Sequence, residues 1–343
     1  LLERVSFSGD FRLRYEGINN GGDNEAGGTT DSTRGRFRFR LAGMFHLRKN
    51  LDVGFRVSSG GTGPTTTNDN FDRTASFKDF KINRAYVAWS PDNFKFQGGK
   101  FEVPFFRSEM IWAVDINVEG FSQQMIKESG DTKMKFTLGQ FIVEDNGLPT
   151  EQPLDDTYLL AGQVKMTQNA GFGDFIFCLT YYDFKNLQGV SVTDDQGLPG
   201  NSQNTKVGGL VANDFNVLDA MVQFKTHVMG QPISIFGEYS KNIATDVDLD
   251  TSWEMGFQYG NVDDFGDWRL RAFYRLTQFD SVFSAWNSAD FHAGGTNSKG
   301  LSLQLHAVVT RGMVVSLSQF FTREERGAKF ERERTYADLV FKF

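Results

Sequence analysis

The chain has 343 residues, a formal net charge of −7, 35 Phe, 36 Gly, 7 Pro and a single Cys. One cysteine excludes an intrachain disulfide framework, and an acidic balance without a basic tail makes nucleic acid an unexpected partner. Apolar runs such as Phe175-Ile-Phe-Cys-Leu179 fall far short of the ~18 residues of a spanning helix, and the negative mean hydropathy excludes a helical membrane protein. No secretory leader is recognisable, because Leu1-Leu-Glu-Arg4 already reads into a strand, so the chain reads as a mature form.

Alternation with period two runs along the chain, and helical periodicity is nearly absent. The first strand sets Val5, Phe7, Gly9, Phe11, Leu13 and Tyr15 on one face and Ser6, Ser8, Asp10, Arg12 and Arg14 on the other. The second sets Phe37, Phe39, Leu41, Phe45 and Leu47 against Arg36, Arg38, Arg40, Met44 and His46. Lys49-Asn50 then turns into Leu51, Val53, Phe55 and Val57. Further strands are predicted near 79–90, 94–101, 119–127, 132–143, 157–167, 174–184, 215–227, 233–242, 252–260, 267–278, 300–310, 313–322 and 332–343. Registers at 79–90, 119–127 and 132–143 stay ambiguous, as bulges would make them. The count is sixteen, and even.

Short connections alternate with long ones. Lys49-Asn50, Pro91–Asn93, Glu128–Asp131, Met229–Pro232 and Arg311-Gly312 are short; 17–33, 59–78, 102–118, 185–214 and 279–299 are long. Short turns at one end and long loops at the other belong to transmembrane β-barrels. Trp89 and Trp268 fall at the short-turn level and Tyr15 at the long-loop level, where amphipathic rings favour a membrane interface. The soluble alternatives fit less well: a solenoid needs a fixed repeat, which is absent, and a sandwich would carry more proline-marked turns.

Energetics orient the strands. Arg36, Arg38 and Arg40 facing lipid would each cost up to about 2–4 kcal/mol near the midplane, so they face a wet lumen. Parity places Arg12, Arg14, Arg56, Arg84, Arg269, Arg271, Arg275 and Arg334 inside as well. If the last strand pairs with the first, the arginines of strands sixteen, one, two and three share one wall. Part of that set is expected to serve only in salt bridges.

Two segments carry a family resemblance. The terminal strand Tyr336–Phe343, with Leu339, Phe341 and Phe343 on one face, resembles the closing strand of bacterial outer-membrane barrels and its insertion signal. Gly99-Lys-Phe-Glu-Val-Pro-Phe105 resembles the strand-to-loop passage of phosphate-selective porins and their relatives. The resemblance implies an all-β fold: one transmembrane antiparallel barrel over 1–343, both termini periplasmic, assembling as a homotrimer in contact with membrane lipid and lipopolysaccharide. It also implies that the third long loop, 102–118, folds inward as a constriction. That loop carries Glu102, Glu109 and Asp115, with Glu119 just beyond, and the apolar run Met110–Val114, which is unusual in a wet loop. It is not lysine-rich, so phosphate selectivity does not carry over.

Nothing in the sequence nominates catalysis or a cofactor. The four histidines, His46, His227, His292 and His306, lack metal-ligand spacing. Asp246, Asp248 and Asp250 alternate like calcium ligands, but the glycine and the glutamate spacing of a calcium loop are missing, leaving them as a weak metal candidate at most. The expectation is a porin, not an enzyme, passing small hydrophilic solutes and ions by diffusion. The alternatives are a substrate-specific anion channel built on the arginine ladder and a structural or adhesive barrel.

Overall fold

The computed structural model describes residues 4–21, 31–61, 63–145, 156–191, 204–244, 249–327 and 330–343. Sixteen long strands are β1 (Val5–Gly21), β2 (Ser32–Arg48), β3 (Leu51–Ser58), β4 (Lys81–Trp89), β5 (Phe94–Glu102), β6 (Asn117–Ser129), β7 (Thr132–Glu144), β8 (Thr157–Asn169), β9 (Asp174–Lys185), β10 (Asn216–Val228), β11 (Gln231–Asn242), β12 (Thr251–Gly260), β13 (Trp268–Thr277), β14 (Ser298–Thr310), β15 (Met313–Glu324) and β16 (Glu331–Lys342). They form one 17-stranded sheet, whose extra member is the two-residue strand Asp69–Asn70 beside β2. The sheet closes: β16 pairs antiparallel with β1, with Leu339 opposite Leu13. Closure gives each of the sixteen long strands a hydrogen-bonded neighbour on both sides, as a hydrocarbon environment requires.

The two faces separate as the alternation requires. Phe7, Val87, Phe121, Leu138, Leu179, Val222, Ile235, Met255, Leu303 and Leu317 are exposed on the outer face. Asp10, Arg14, Arg38, Arg56, Ser122, Thr180, Ser240 and Glu254 are buried inside. Trp89 stacks on Phe96, and Trp268 lies against Tyr259, at the short-turn level. Trp253 and Tyr274 stack at the opposite level, a girdle pair that the sequence reading did not single out.

The ambiguous registers have local causes. The β3–β4 ladder shifts between Arg56 and Val57, and the β7–β8 ladder between Ile142 and Glu144. In β6, Gly120 has φ +144, and a Cβ there would lie 2.1 Å from the Gln140 carbonyl oxygen, so only glycine fits. Gln123 and Gln140 hydrogen bond to each other on the outer face while Ser122 and Gln124 are buried, so β6 is polar on both faces and its period fades.

Candidate functional site

Inward-facing side chains of β16, β1, β2, β3 and β4 form a continuous basic wall. Register sets Arg12 directly opposite Arg38, Arg14 opposite Arg36, and Arg56 opposite Arg84. Like charges at such positions repel. Three strand carboxylates between them offset part of the repulsion, and the loop carboxylate of Asp290 lies 3.4 Å from Arg14. Asp10 accepts from Arg38 Nε at 2.8 Å and Arg40 Nε at 2.6 Å. Glu16, fully buried, accepts two hydrogen bonds from Arg34, at 2.8 and 2.9 Å, and one from Arg36 at 3.3 Å. Asp338 holds Arg14 through two bonds of 2.7 and 2.8 Å. Their bidentate geometry fixes the guanidinium planes.

Neutralisation is incomplete. Arg12 lies 3.8 Å from Asp338 and donates to Asn68. Arg56 donates to Asn83, and its Nη2 has no partner. Arg334 donates to the Ala289 carbonyl at 2.7 Å and the Tyr336 hydroxyl at 3.0 Å, and among the described residues it makes no direct ion pair. Asp10, Arg38, Arg40, Arg56, Arg84 and Lys342 contribute to the lining of a hollow of 430 Å³, five cations against one carboxylate. Across the barrel, Arg271 and Arg275 share the buried Glu254, at 3.4 and 2.7 Å. Arg269 stands opposite His306 without a carboxylate partner among the described residues.

Residues 103–116, joining β5 to β6, reach side chains from well-separated parts of this ring. Asp115 accepts from Arg40 on β2 and from Thr67. Phe106 N–H donates to Gln163 on β8 at 2.8 Å, and Gln163 donates back to the Phe106 carbonyl. Arg275 on β13 donates to the Glu109 carbonyl at 3.4 Å. Met110 and Trp112 are fully buried, and Phe105 and Trp112 pack against the inward-facing Tyr182 of β9. A strand wall ordinarily has no apolar core on its wet side; the run Met110–Ala113 supplies one, while Val114 is exposed.

A second connection, 278–297, joins that core, and the sequence reading missed it. Trp286 stacks on Trp112 at 4.8 Å between centroids, and Ala113 N–H donates to the Trp286 carbonyl at 2.7 Å. Ser288 donates to the Glu109 carboxylate at 2.8 Å. Val282, Phe283 and Trp286 in a long, otherwise polar loop were the available signal, as Met110–Val114 was in the other.

The acidic residues of the loop do not stand apart from the basic wall. Asp115 bonds directly to Arg40, and Glu102 to Arg84 at 2.9 Å, because each carboxylate gains more from a guanidinium contact than from open water. Glu119 is not part of the site at all. It lies on the outer face, opposite Ile142 and ion-paired with Lys100, because strand parity carries it outward next to Phe121. Asp250 pairs with Lys241 at 3.4 Å, whereas Asp246 and Asp248 lie outside the described residues.

Inward-facing lysines beyond that wall were also missed. Lys95, Lys135 and Lys165 project inward from β5, β7 and β8. Lys135 is directly opposite Lys165, and the Lys165 ammonium lies 4.2 Å from the Phe106 ring centroid. Lysines scattered one per strand give no local run to read; register brings Lys135 to Lys165, whereas Lys95 stands opposite Gln124.

The chain matches a family described as "Putative porin" over residues 25–206 and 192–343. It belongs to that porin family. No curated protein matches the chain. Solved structures agree on the fold at low identity. Pseudomonas putida OprB in its high-pH structure aligns with TM-score 0.66 and 11% identity, covering 99% of this chain and 94% of that one. The anion-selective porin of Comamonas acidovorans aligns with TM-score 0.58 and 13% identity, covering 99% of each chain. The outer-membrane channel DcaP of Acinetobacter baumannii aligns with TM-score 0.53 and 14% identity, covering 99% of this chain and 97% of that one. This porin is therefore an outer-membrane channel for passive diffusion, on a closed sixteen-stranded barrel.

Burial of one loop imidazole predicts an acid sensitivity. His292 in 278–297 is 4% exposed, with its Nδ1 2.9 Å from the Thr322 hydroxyl. Burial, and then the neighbouring Arg332 and Arg334, push its pKa down to about 4. Once released, the imidazole regains an ordinary value near 6.5, so the docked loop binds fewer protons than the free one. Docking is unaffected above that value and weakens as pH falls towards 4, by about 3 kcal/mol in all. Channel noise and open-state conductance should change between those limits, and His292→Phe should abolish the change.

Proposed function

We propose that this porin favours small hydrophilic anions, and that residues 102–118 narrow its lumen. The observation that carries the reading is the cationic surplus on two stretches of wall: Arg12, Arg56 and Arg334 incompletely paired on one, and Lys135 directly opposite Lys165 on the other. Charges lining a confined, weakly screened path set the local counter-ion concentration. They outweigh a net charge of −7 that is partly carried outside the lumen. One of the structurally similar proteins is described as an anion-selective porin, which is consistent with this use of the fold. The short turns are assigned to the periplasmic side with both termini, the assembly to a homotrimer, and the outer face to membrane lipid and lipopolysaccharide.

A second reading, a channel with a saturable site for one anionic solute, is favoured by one detail. Arg56 Nη2 is buried without a partner beside the 430 Å³ hollow, and an unmatched buried donor is costly. Single-channel recording with chloride and with an organic carboxylate separates the two. Diffusion gives a conductance linear in salt. A binding site gives one that saturates and is blocked by the carboxylate.

A further inference from the structure

The outer face of β9–β14 is not smooth. Gly237 on β11 has no side chain and Ala272 on β13 has a short one, and a groove of 860 Å³ lies over them. Taller neighbours such as Phe177, Val222, Met255 and Phe257 wall it, and its lining is almost wholly apolar. Crowding does not require the glycine: a Cβ at Gly237 would meet nothing nearer than the Val222 side chain at 3.7 Å. The groove is space left open towards the bilayer.

Its upper end is formed by Tyr274 and Leu301, which are register partners. Tyr274 stacks on Trp253 at 5.6 Å, an aromatic pair of the kind that marks the headgroup boundary. Two residues before Leu301 on the same face stands Lys299, and Arg323 is directly opposite it on β15. Cations so placed repel. Among the described residues neither forms an ion pair, and Glu331, the register partner of Arg323 on its other side, does not close on it. An apolar groove thus runs up to two cations without a direct ion pair at headgroup depth, with Glu331 and Glu333 on the same face of β16 beyond them.

We propose that this face binds an anionic, phosphate-bearing lipid, with one acyl chain in the Gly237 groove and the phosphate between Lys299 and Arg323. The phosphate removes the cross-strand repulsion, and the chain fills a hollow that no side chain of this porin occupies. The proposal rests on the outer-membrane reading above.

Native mass spectrometry of the purified full chain, incubated in detergent with phosphatidylglycerol or phosphatidylcholine, tests it. One phosphatidylglycerol should be retained in preference to phosphatidylcholine. Lys299→Glu with Arg323→Glu should lower that retention at least about tenfold, two cations each contributing on the order of one factor of five to ten. Gly237→Phe, which has room, should lower it comparably. Both variants should keep wild-type heat modifiability and conductance, since neither changes the lumen. Equal retention of the two lipids, undiminished retention by Gly237→Phe, or a second copy of the chain on this face in place of lipid would overturn the proposal. Absence of conductance in every preparation would instead contradict the porin reading, and the lipid comparison would still be readable.

Discussion

Excision of residues 106–114 is expected to raise single-channel conductance by roughly two- to threefold, because conductance follows the narrowest lumenal section. The deleted segment contains Met110 and Trp112, both fully buried against inward-facing side chains, and the Glu109 and Ala113 contacts that tie down the connection 278–297. Removal therefore loosens two inward-packed connections. Thermal stability should fall as well, since losing a buried tryptophan alone costs about 3–5 kcal/mol. Trp112→Ala separates the effects: it should destabilise the core and increase open-channel noise while raising conductance less than the deletion. An unchanged conductance after excision would mean that ions do not pass beside this loop.

Charge substitution at the facing lysines should produce the second large effect. Lys135→Glu with Lys165→Glu is expected to move the reversal potential in a KCl gradient strongly towards cations, changing the permeability ratio by at least about threefold. These lysines face each other, so the exchange inverts both charges while leaving one like-charge pair in place of another. Arg38→Ala with Arg40→Ala should move the potential in the same direction. There the change also strips Asp10 of both partners and Asp115 of Arg40, so it should cost the barrel several kcal/mol where the lysine exchange costs little. A smaller shift from either pair than from a single acidic substitution in the connection 185–214 would remove lumenal charge as the selectivity element.

Much of this architecture was legible because a barrel strand repeats one rule. Arg36, Arg38 and Arg40 alternating with Phe37, Phe39 and Leu41 fix which face is wet, and the same parity ran through β1, β3, β13 and β16. Each predicted strand with stated limits lies within a few residues of its counterpart, as the alternation and turn residues allow. β1 runs on past Tyr15 to Gly21, because Glu16 and Asn20 continue the inward set and meet Arg34 and Arg332. What parity does not contain is register. Pairing Arg12 with Arg38, or Lys135 with Lys165, depends on how far neighbouring strands slide, and one shifted residue changes every partner. The Glu119 assignment failed for a related reason: membership in the loop was inferred from sequence proximity, whereas Glu119 already lies within β6, which starts at Asn117, and faces out. The connection 278–297 was missed because a length of about twenty residues marks a long loop without saying where its apolar side chains pack.

The most direct test of the central claim is the reversal potential of the wild-type channel in a steep KCl gradient at neutral pH, repeated at low and high ionic strength. A lumen with surplus arginine and lysine predicts a potential on the chloride side, growing as salt is lowered and screening weakens. A potential on the potassium side at low salt, with both lysines intact, would contradict it.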